Sequence, residues 1–337
     1  MSVPTPQPDQ RSSADRPLVI YADAHLFPPT SDDHRAAAEA GYELIPVAGH
    51  RPVDFQPYGA EAVGLLAWGG PYDSDVFAAL PRLRVLARCG AGYDNIGLAA
   101  ADQRGIALAY APGASDHEVA EHTVALLLGA ARKITASDRA IRGGGWPSSA
   151  DLAPMRRVHG STLGLVGFGR IARAVATKAQ ALGLHVIAYD PFIDASMFAG
   201  TDVTPVHQLA ELLASVDFVS LHVPGGADHR PLIGAAELAA MRSTALLINT
   251  ARGSLIDTAA LVAALLQGGI AGAALDVVDP EPVPPGHPLL TADNVVLTPH
   301  SAAFSEQALA ALRTRALAEV FHVLAGRPPL TPIPRKD

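Results

Sequence analysis

One cysteine, Cys89, stands among 337 residues, so the chain can form no internal disulfide and suits a reducing compartment. A lone thiol with no histidines or cysteines clustered at ligand spacing gives no expectation of a metal site, and Cys89 itself is expected to be a small buried apolar residue. Charge is also scarce. Only 17% of residues are Asp, Glu, Lys or Arg, and the net charge of -8 comes without any basic run, which argues against a nucleic-acid partner. No apolar run approaches the roughly 18 residues of a membrane span. The polar, proline-bearing stretch from Met1 to Arg16 lacks the apolar centre of a signal peptide. The expectation is a cytoplasmic protein with a loose tail over 1–16 and no membrane partner. Hydrophobic residues, by contrast, make up 49% of the chain, which excludes disorder for most of it and provides for two cored domains.

Apolar runs alternate with helical patterns from Leu18 onwards. Leu18 to Ala22, Gly64 to Trp68, Val85 to Arg88 and Ile106 to Ala109 read as strands, and a helical stretch from Ser115 to Ile141 carries Val119, Ala120, Thr123, Leu126 and Leu127 at helical spacing. Gly143-Gly144-Gly145-Trp146-Pro147 ends that stretch in a loop. Further strands are expected at Phe218 to Leu221, Ala245 to Asn249, Ala273 to Leu275 and Val295 to Leu297, with a final helix from Ser305 to Leu324 that returns to the first domain. The alternation predicts an α/β protein with doubly wound parallel sheets.

The most specific local signal is Gly167-Phe168-Gly169-Arg170-Ile171-Ala172. It follows the strand Leu163 to Val166 and opens a helical pattern over Arg173 to Leu182, which is the setting a G-x-G-x-x-A dinucleotide turn requires. Gly167 permits the turn, Gly169 lets a pyrophosphate approach the backbone, and small Ala172 lets helix and strand pack closely. The helix amino terminus offers unpaired N–H groups to the phosphates. A second strand, His185 to Tyr189, ends at Asp190, about 20 residues downstream, where an acid meets the adenosine ribose. A carboxylate accepts from a free 2'-hydroxyl and repels a 2'-phosphate, and neither Pro191 nor Phe192 is a cation that could reverse this. NAD is expected over NADP.

Three short segments, Thr250-Ala251-Arg252-Gly253, Asp279-Pro280-Glu281-Pro282 and Thr298-Pro299-His300-Ser301, place Arg252, Glu281 and His300 each after an expected strand. That is the rim where ligands collect in open parallel sheets. Histidine exchanges a proton near neutrality, glutamate holds it charged, and arginine clamps a carboxylate through two hydrogen bonds. Singly, Arg252 could pair with Asp257, Glu281 could be solvated, and His300 could be a satisfied core histidine; their joint placement beside a dinucleotide turn favours chemistry. His122, His159, His207, His222 and His287 have no such company and read as structural.

With these motifs in place, the chain resembles the D-isomer-specific 2-hydroxyacid dehydrogenase family. Ala87 to Ile96 (ARCGAGYDNI), Val119 to Thr123 (VAEHT), Gly164 to Ala172, Asn249 to Asp257 (NTARGSLID), Asp276 to Pro282 (DVVDPEP) and Thr298 to Ala302 (TPHSA) carry the resemblance. It implies a Rossmann NAD-binding domain, 113–300, inserted into a flavodoxin-like substrate domain, 17–112 and 301–337. It further implies that Arg252 anchors the substrate carboxylate and polarises its keto oxygen, that His300 is the acid/base, and that Glu281 is its charged partner. Backbone amides at Gly90, Ala91 and Gly92 would hold the substrate carboxylate, the alternative being a plain strand-end turn. Thr123, the segment Val223 to His229 including Val223 and Pro224, Thr250, Ala251, Asp276, Ala302 and Ala303 would surround the cofactor, with Asp276 near the nicotinamide carboxamide. A homodimer formed between cofactor domains is implied, with Ser115 to Ile141 as a contact.

Within the family, Tyr189 to Phe192 (YDPF) and Pro299 to Gln307 (PHSAAFSEQ) are similar to the C-terminal binding protein branch, so an NAD-responsive binding or corepressor-like protein with little turnover is the first alternative. Ala303 stands where the eukaryotic corepressors carry tryptophan, which leaves a larger pocket. Trp68 stands where D-3-phosphoglycerate dehydrogenases typically place arginine, and the chain stops at Asp337 without the regulatory domain many of them possess; that activity is the second alternative. Trp68 reads either as part of the substrate pocket or as a brace inside the first domain. Glu281 stands where a formate dehydrogenase usually has glutamine.

Overall fold

The computed structural model describes residues 16–225 and 230–335. The expected tail lies outside them except for Arg16, as do residues 226–229 of the cofactor segment. The chain forms two compact units, one comprising Met1–Ser115 with Glu306–Asp337 and the other Asp116–Ser305.

The first unit is built on five short strands, β1 (Leu18–Tyr21), β2 (Glu43–Pro46), β3 (Ala62–Ala67), β4 (Val85–Arg88) and β5 (Ala107–Tyr110), all paired in parallel in the order β2-β1-β3-β4-β5. This is the flavodoxin-like order. Parallel strands covered on both faces need apolar residues at every position, and all six residues of β3 are buried. One face is covered by the helix Glu306–Leu324, whose Leu312, Leu317, Val320 and Leu324 join the core with Val19, Leu66 and Ala87. Gly64 makes this approach possible, because a Cβ there would lie 2.8 Å from Val320 Cγ1. Cys89 is buried in the same core, and its burial pushes the thiol up to about 12, which leaves it unreactive.

The second unit carries seven parallel strands: β6 (Thr162–Val166), β7 (His185–Tyr189), β8 (Val203–Val206), β9 (Phe218–Leu221), β10 (Leu246–Asn249), β11 (Gly272–Leu275) and β12 (Val295–Leu297). Their order, β12-β11-β10-β9-β6-β7-β8, is the Rossmann arrangement with one strand added, and the chain reverses direction across the sheet between β6 and β9. The helices Asp116–Ala131 and Arg170–Ala181 cover one face through Leu126, Leu127, Ala172, Val175 and Ala179. Among the described residues no helix is long and apolar enough to cross a membrane.

Two expectations about elements change. The stretch from Ser115 to Ile141 is two helices, Asp116–Ala131 and Ile134–Arg142, separated where Lys133 takes a left-handed conformation at φ +51°. The unit boundaries fall at Ser115/Asp116 and Ser305/Glu306, where 112/113 and 300/301 were expected. The segment after His300 stays with the second unit through Ser301 N–H and Ala302 N–H to the Asp276 carboxylate and Ser305 Oγ to Glu118 Oε1.

Candidate active site

At the end of β6 the chain turns through Gly167 at φ +91°, where a Cβ would lie 2.7 Å from the carbonyl oxygen of His222 and 2.8 Å from Val223 Cγ1. Gly169 differs. It caps the helix Arg170–Ala181, and a Cβ there would meet nothing within 4 Å. The space above Gly169 adjoins a helix N-terminus whose first amides lack intrahelical partners, as a pyrophosphate site requires. Ala172 is wholly buried and Ile171 half-buried, while exposed Arg170 pairs with Asp116 at 2.8 Å. Asp190, after β7, accepts from Phe168 N–H at 2.9 Å and Phe192 N–H at 3.0 Å. A carboxylate offers about four lone-pair positions, so two remain for ribose hydroxyls. The Phe168 ring is buried and stacks on Phe198 at 4.5 Å.

Beyond β10, buried Asn249 shapes the next turn from both sides. Its Oδ1 accepts from Ala251 N–H at 3.0 Å and its Nδ2 donates to the Arg252 carbonyl at 2.8 Å. Arg252 Nη1 donates to the Ala251 carbonyl at 2.6 Å, whereas the carboxylate of Asp257 caps the helix Thr258–Leu266 by accepting from Ala260 N–H at 3.0 Å. Gly253 fits so closely against the next segment that a Cβ would lie 2.2 Å from the carbonyl carbon and oxygen of Val278. The Arg252 turn and the approach to Glu281 therefore meet backbone to backbone.

Glu281 Oε2 lies 2.8 Å from His300 Nδ1, and its Oε1 accepts from Val278 N–H at 3.0 Å. Burial pushes the Glu281 carboxyl upward, but the hydrogen bond and charge of His300 with the Val278 amide outweigh it and hold Glu281 below the usual carboxylate range. With Nδ1 engaged, Nε2 is the ring atom left to exchange a proton. His300 sits at φ +52°, a left-handed conformation unfavourable for a residue with a Cβ, and its N–H donates to the Asp276 carbonyl at 2.8 Å.

Asp276 is 2% exposed, and its carboxylate accepts from Thr298 Oγ1 at 2.6 Å, Ser301 N–H at 2.9 Å and Ala302 N–H at 2.9 Å. With three positions filled by its own chain, it organises the His300 turn before it can meet any carboxamide. Thr123 is buried and joins Thr250 at 2.8 Å. Ala302 is buried, Val223 and Ala303 are half-buried and Pro224 is exposed. His122, expected to be structural, lies 2.9 Å from Thr298 Oγ1 and 3.4 Å from Asp276 Oδ1; only its position one residue before Thr123 hinted at this.

In the first unit, Gly90 N–H donates to the Arg88 carbonyl at 2.9 Å, so the expected trio of amides reduces to Ala91 and Gly92, which have no hydrogen-bond partner among the described residues. Trp68 is 4% exposed and stacks on Phe27 at 4.5 Å within the core. Its packing is that of a brace in the first unit. No group of three or more His, Cys, Asp or Glu among the described residues could hold a metal ion.

Residues 124–302 match the sequence pattern described as "D-isomer specific 2-hydroxyacid dehydrogenase, NAD binding domain". The chain belongs to the D-isomer-specific 2-hydroxyacid dehydrogenase family. This dehydrogenase is 43% identical over 241 residues to a glyoxylate reductase of Korarchaeum cryptofilum, covering 70% of this chain and 72% of the other. It is 40% identical over 252 residues to a D-3-phosphoglycerate dehydrogenase of Methanocaldococcus jannaschii, covering 75% of this chain and 48% of that one, so it spans about half of that relative's length. Among solved structures it is similar to the TT0316 protein of Thermus thermophilus, with a TM-score of 0.84 and 34% identity over 94% of this chain and 100% of the other. As a member of the family it is an oxidoreductase that uses NAD to interconvert a 2-hydroxy acid and a 2-keto acid.

Proposed function

We propose that the dehydrogenase reduces a small 2-keto acid to the D-2-hydroxy acid, with His300 donating the proton, Glu281 keeping its imidazole oriented and charged, and Arg252 binding the carboxylate and polarising the keto oxygen. The observation that carries this is the 2.8 Å pair between Glu281 and His300 Nδ1, which leaves Nε2 for proton transfer. NADH supplies the hydride when bound. The residues fit it: the space over Gly169 and the helix N-terminus suit the pyrophosphate, Asp190 has lone pairs for the ribose, and Thr123, Thr250, Ala251, Ile171, Val223, Pro224, Ala302 and Ala303 complete the cofactor surroundings. Negative charge develops on the keto oxygen, so a fixed cation such as Arg252 acts mainly on the transition state. Gly90, Ala91 and Gly92 carry a carboxylate-binding role in this proposal through the amides of Ala91 and Gly92.

Glyoxylate heads the candidate substrates because the Korarchaeum cryptofilum relative is named for it. The test follows NADH oxidation with glyoxylate, hydroxypyruvate, its 3-phosphorylated form, phenylpyruvate and branched 2-keto acids. Turnover of one or more is expected. Preference for the phosphorylated acid would favour the phosphoglycerate alternative, and NADH binding without any turnover would favour the binding-protein alternative of the C-terminal binding protein-like branch. Asp190 predicts a lower KM for NADH than for NADPH, and the reverse order would remove its assigned role.

A cytoplasmic location and a homodimer belong to the same proposal. The helix Ile134–Arg142 has no buried residue, and Ile134, Ile141 and Trp146 are 57%, 47% and 87% exposed, an apolar surface that a second copy would cover. Light scattering should give a dimer mass that falls in Trp146→Ser combined with Ile134→Asp; a monomeric parent protein would exclude it.

A further inference from the structure

The turn that presents His300 is fastened by a side chain that the proposed chemistry does not use. His122 stands on the helix Asp116–Ala131 with Nε2 2.9 Å from Thr298 Oγ1, and Thr298 Oγ1 lies 2.6 Å from Asp276 Oδ1. A carboxylate only accepts, and a hydroxyl has one proton. Thr298 therefore donates to Asp276 and must accept from His122, which places the His122 proton on Nε2. The chain of donors runs one way, from His122 through Thr298 to Asp276.

Asp276 then gathers the turn. Its Oδ1 also accepts from Ser301 N–H, its Oδ2 accepts from Ala302 N–H, and its main-chain carbonyl accepts from His300 N–H. Three successive amides, those of His300, Ser301 and Ala302, thus end on one buried residue. His300 holds its left-handed conformation at φ +52° only while the surroundings over-determine it. Neighbouring Thr123 is separately engaged with Val119 and Thr250.

We infer that His122 is a positioning residue for the acid/base histidine, acting through Thr298 and Asp276 without touching substrate. The inference rests on the proposed role of His300. Its physical basis is that misplacing a reacting group by about 1 Å costs on the order of 10² in rate, and the far end of this chain of hydrogen bonds sets where the turn lies.

The test compares His122→Leu, His122→Gln, Thr298→Val and the Leu/Val double variant, each with kcat, KM for NADH and Tm. Glutamine carries an N–H donor near the place of Nε2. His122→Leu should lower kcat about tenfold with KM for NADH within about twofold, and His122→Gln should recover most of kcat. The double variant should be no slower than the slower single one, since both cut the same chain. Wild-type kcat in His122→Leu, or equal losses of kcat and Tm in Leu and Gln, would overturn the inference. A second readout needs no substrate: long-range ¹H–¹⁵N spectra of the NADH complex should show His122 as the Nε2–H tautomer, and the His300 resonances should move in His122→Leu but not in His122→Gln. Unmoved His300 resonances overturn the positioning role whether or not a keto acid is found. Moved resonances in a protein that reduces no keto acid would instead overturn the role of His300.

Discussion

His300 can exchange a proton only through the ring nitrogen that Glu281 leaves free, so the carboxylate selects the reactive atom. Replacing His300 by alanine should lower kcat by about 10² to 10⁴, while NADH binding followed by fluorescence titration stays near the parent value; unchanged turnover would falsify the assignment. The pairing of Glu281 with His300 was legible in the sequence because both stand in short loops after apolar strands. His122 was not legible, since its partner Thr298 lies 176 positions away and a histidine on an apolar helix carries no signal of what it meets. Trp68 was ambiguous for a similar reason: an indole suits a pocket or a core equally, and only the stacking on Phe27 decides.

The glycine turn illustrates how one element combines two constraints that the motif itself does not separate. At Gly167 the obstacle is the protein's own backbone, and at Gly169 the space is open. Gly167→Ala should therefore reduce stability in thermal melts, whereas Gly169→Ala should melt close to the parent protein and raise KM for NADH about tenfold or more by intruding on the pyrophosphate. Equal melting temperatures for the two variants would contradict this division. A second element, the helix break at Lys133, places a long side chain at φ +51°. Lys133→Gly should stabilise by about 1 kcal/mol, visible as a Tm higher by about 2–4 °C for a domain of this size; a lower Tm would show that the Lys133 hydrogen bond to Ala153 outweighs the strain. The strands the sequence did not reveal, β2 and β8, lie at sheet edges and contain Pro46 and Pro205. Proline is tolerated at an edge, but it hides the strand from any apolar pattern.

For the molecule as a whole, alternating strands and helices made the α/β class readable, and the dinucleotide turn identified the Rossmann half. The sheet orders were not readable, because a crossover leaves no local trace in composition. Stability should also depend on pH through a group outside the proposed chemistry. Desolvation lowers His222 to about 4, against about 6.5 in an unfolded chain. Its neutral form favours the folded state fully above about pH 6.5, and that contribution is lost as pH falls through about 4, because only the unfolded chain takes up the proton in this window. Tm measured from pH 7 to pH 4 should fall less steeply in His222→Asn than in the parent, and parallel profiles would exclude the effect. A different restriction comes from Gly253, whose missing side chain lets the Arg252 turn rest on the Val278 backbone. Since neither segment can shift without the other, a change in this turn has to be matched at Val278. Any side chain at position 253 faces a geometric veto, which narrows the paths by which this half of the protein can diverge.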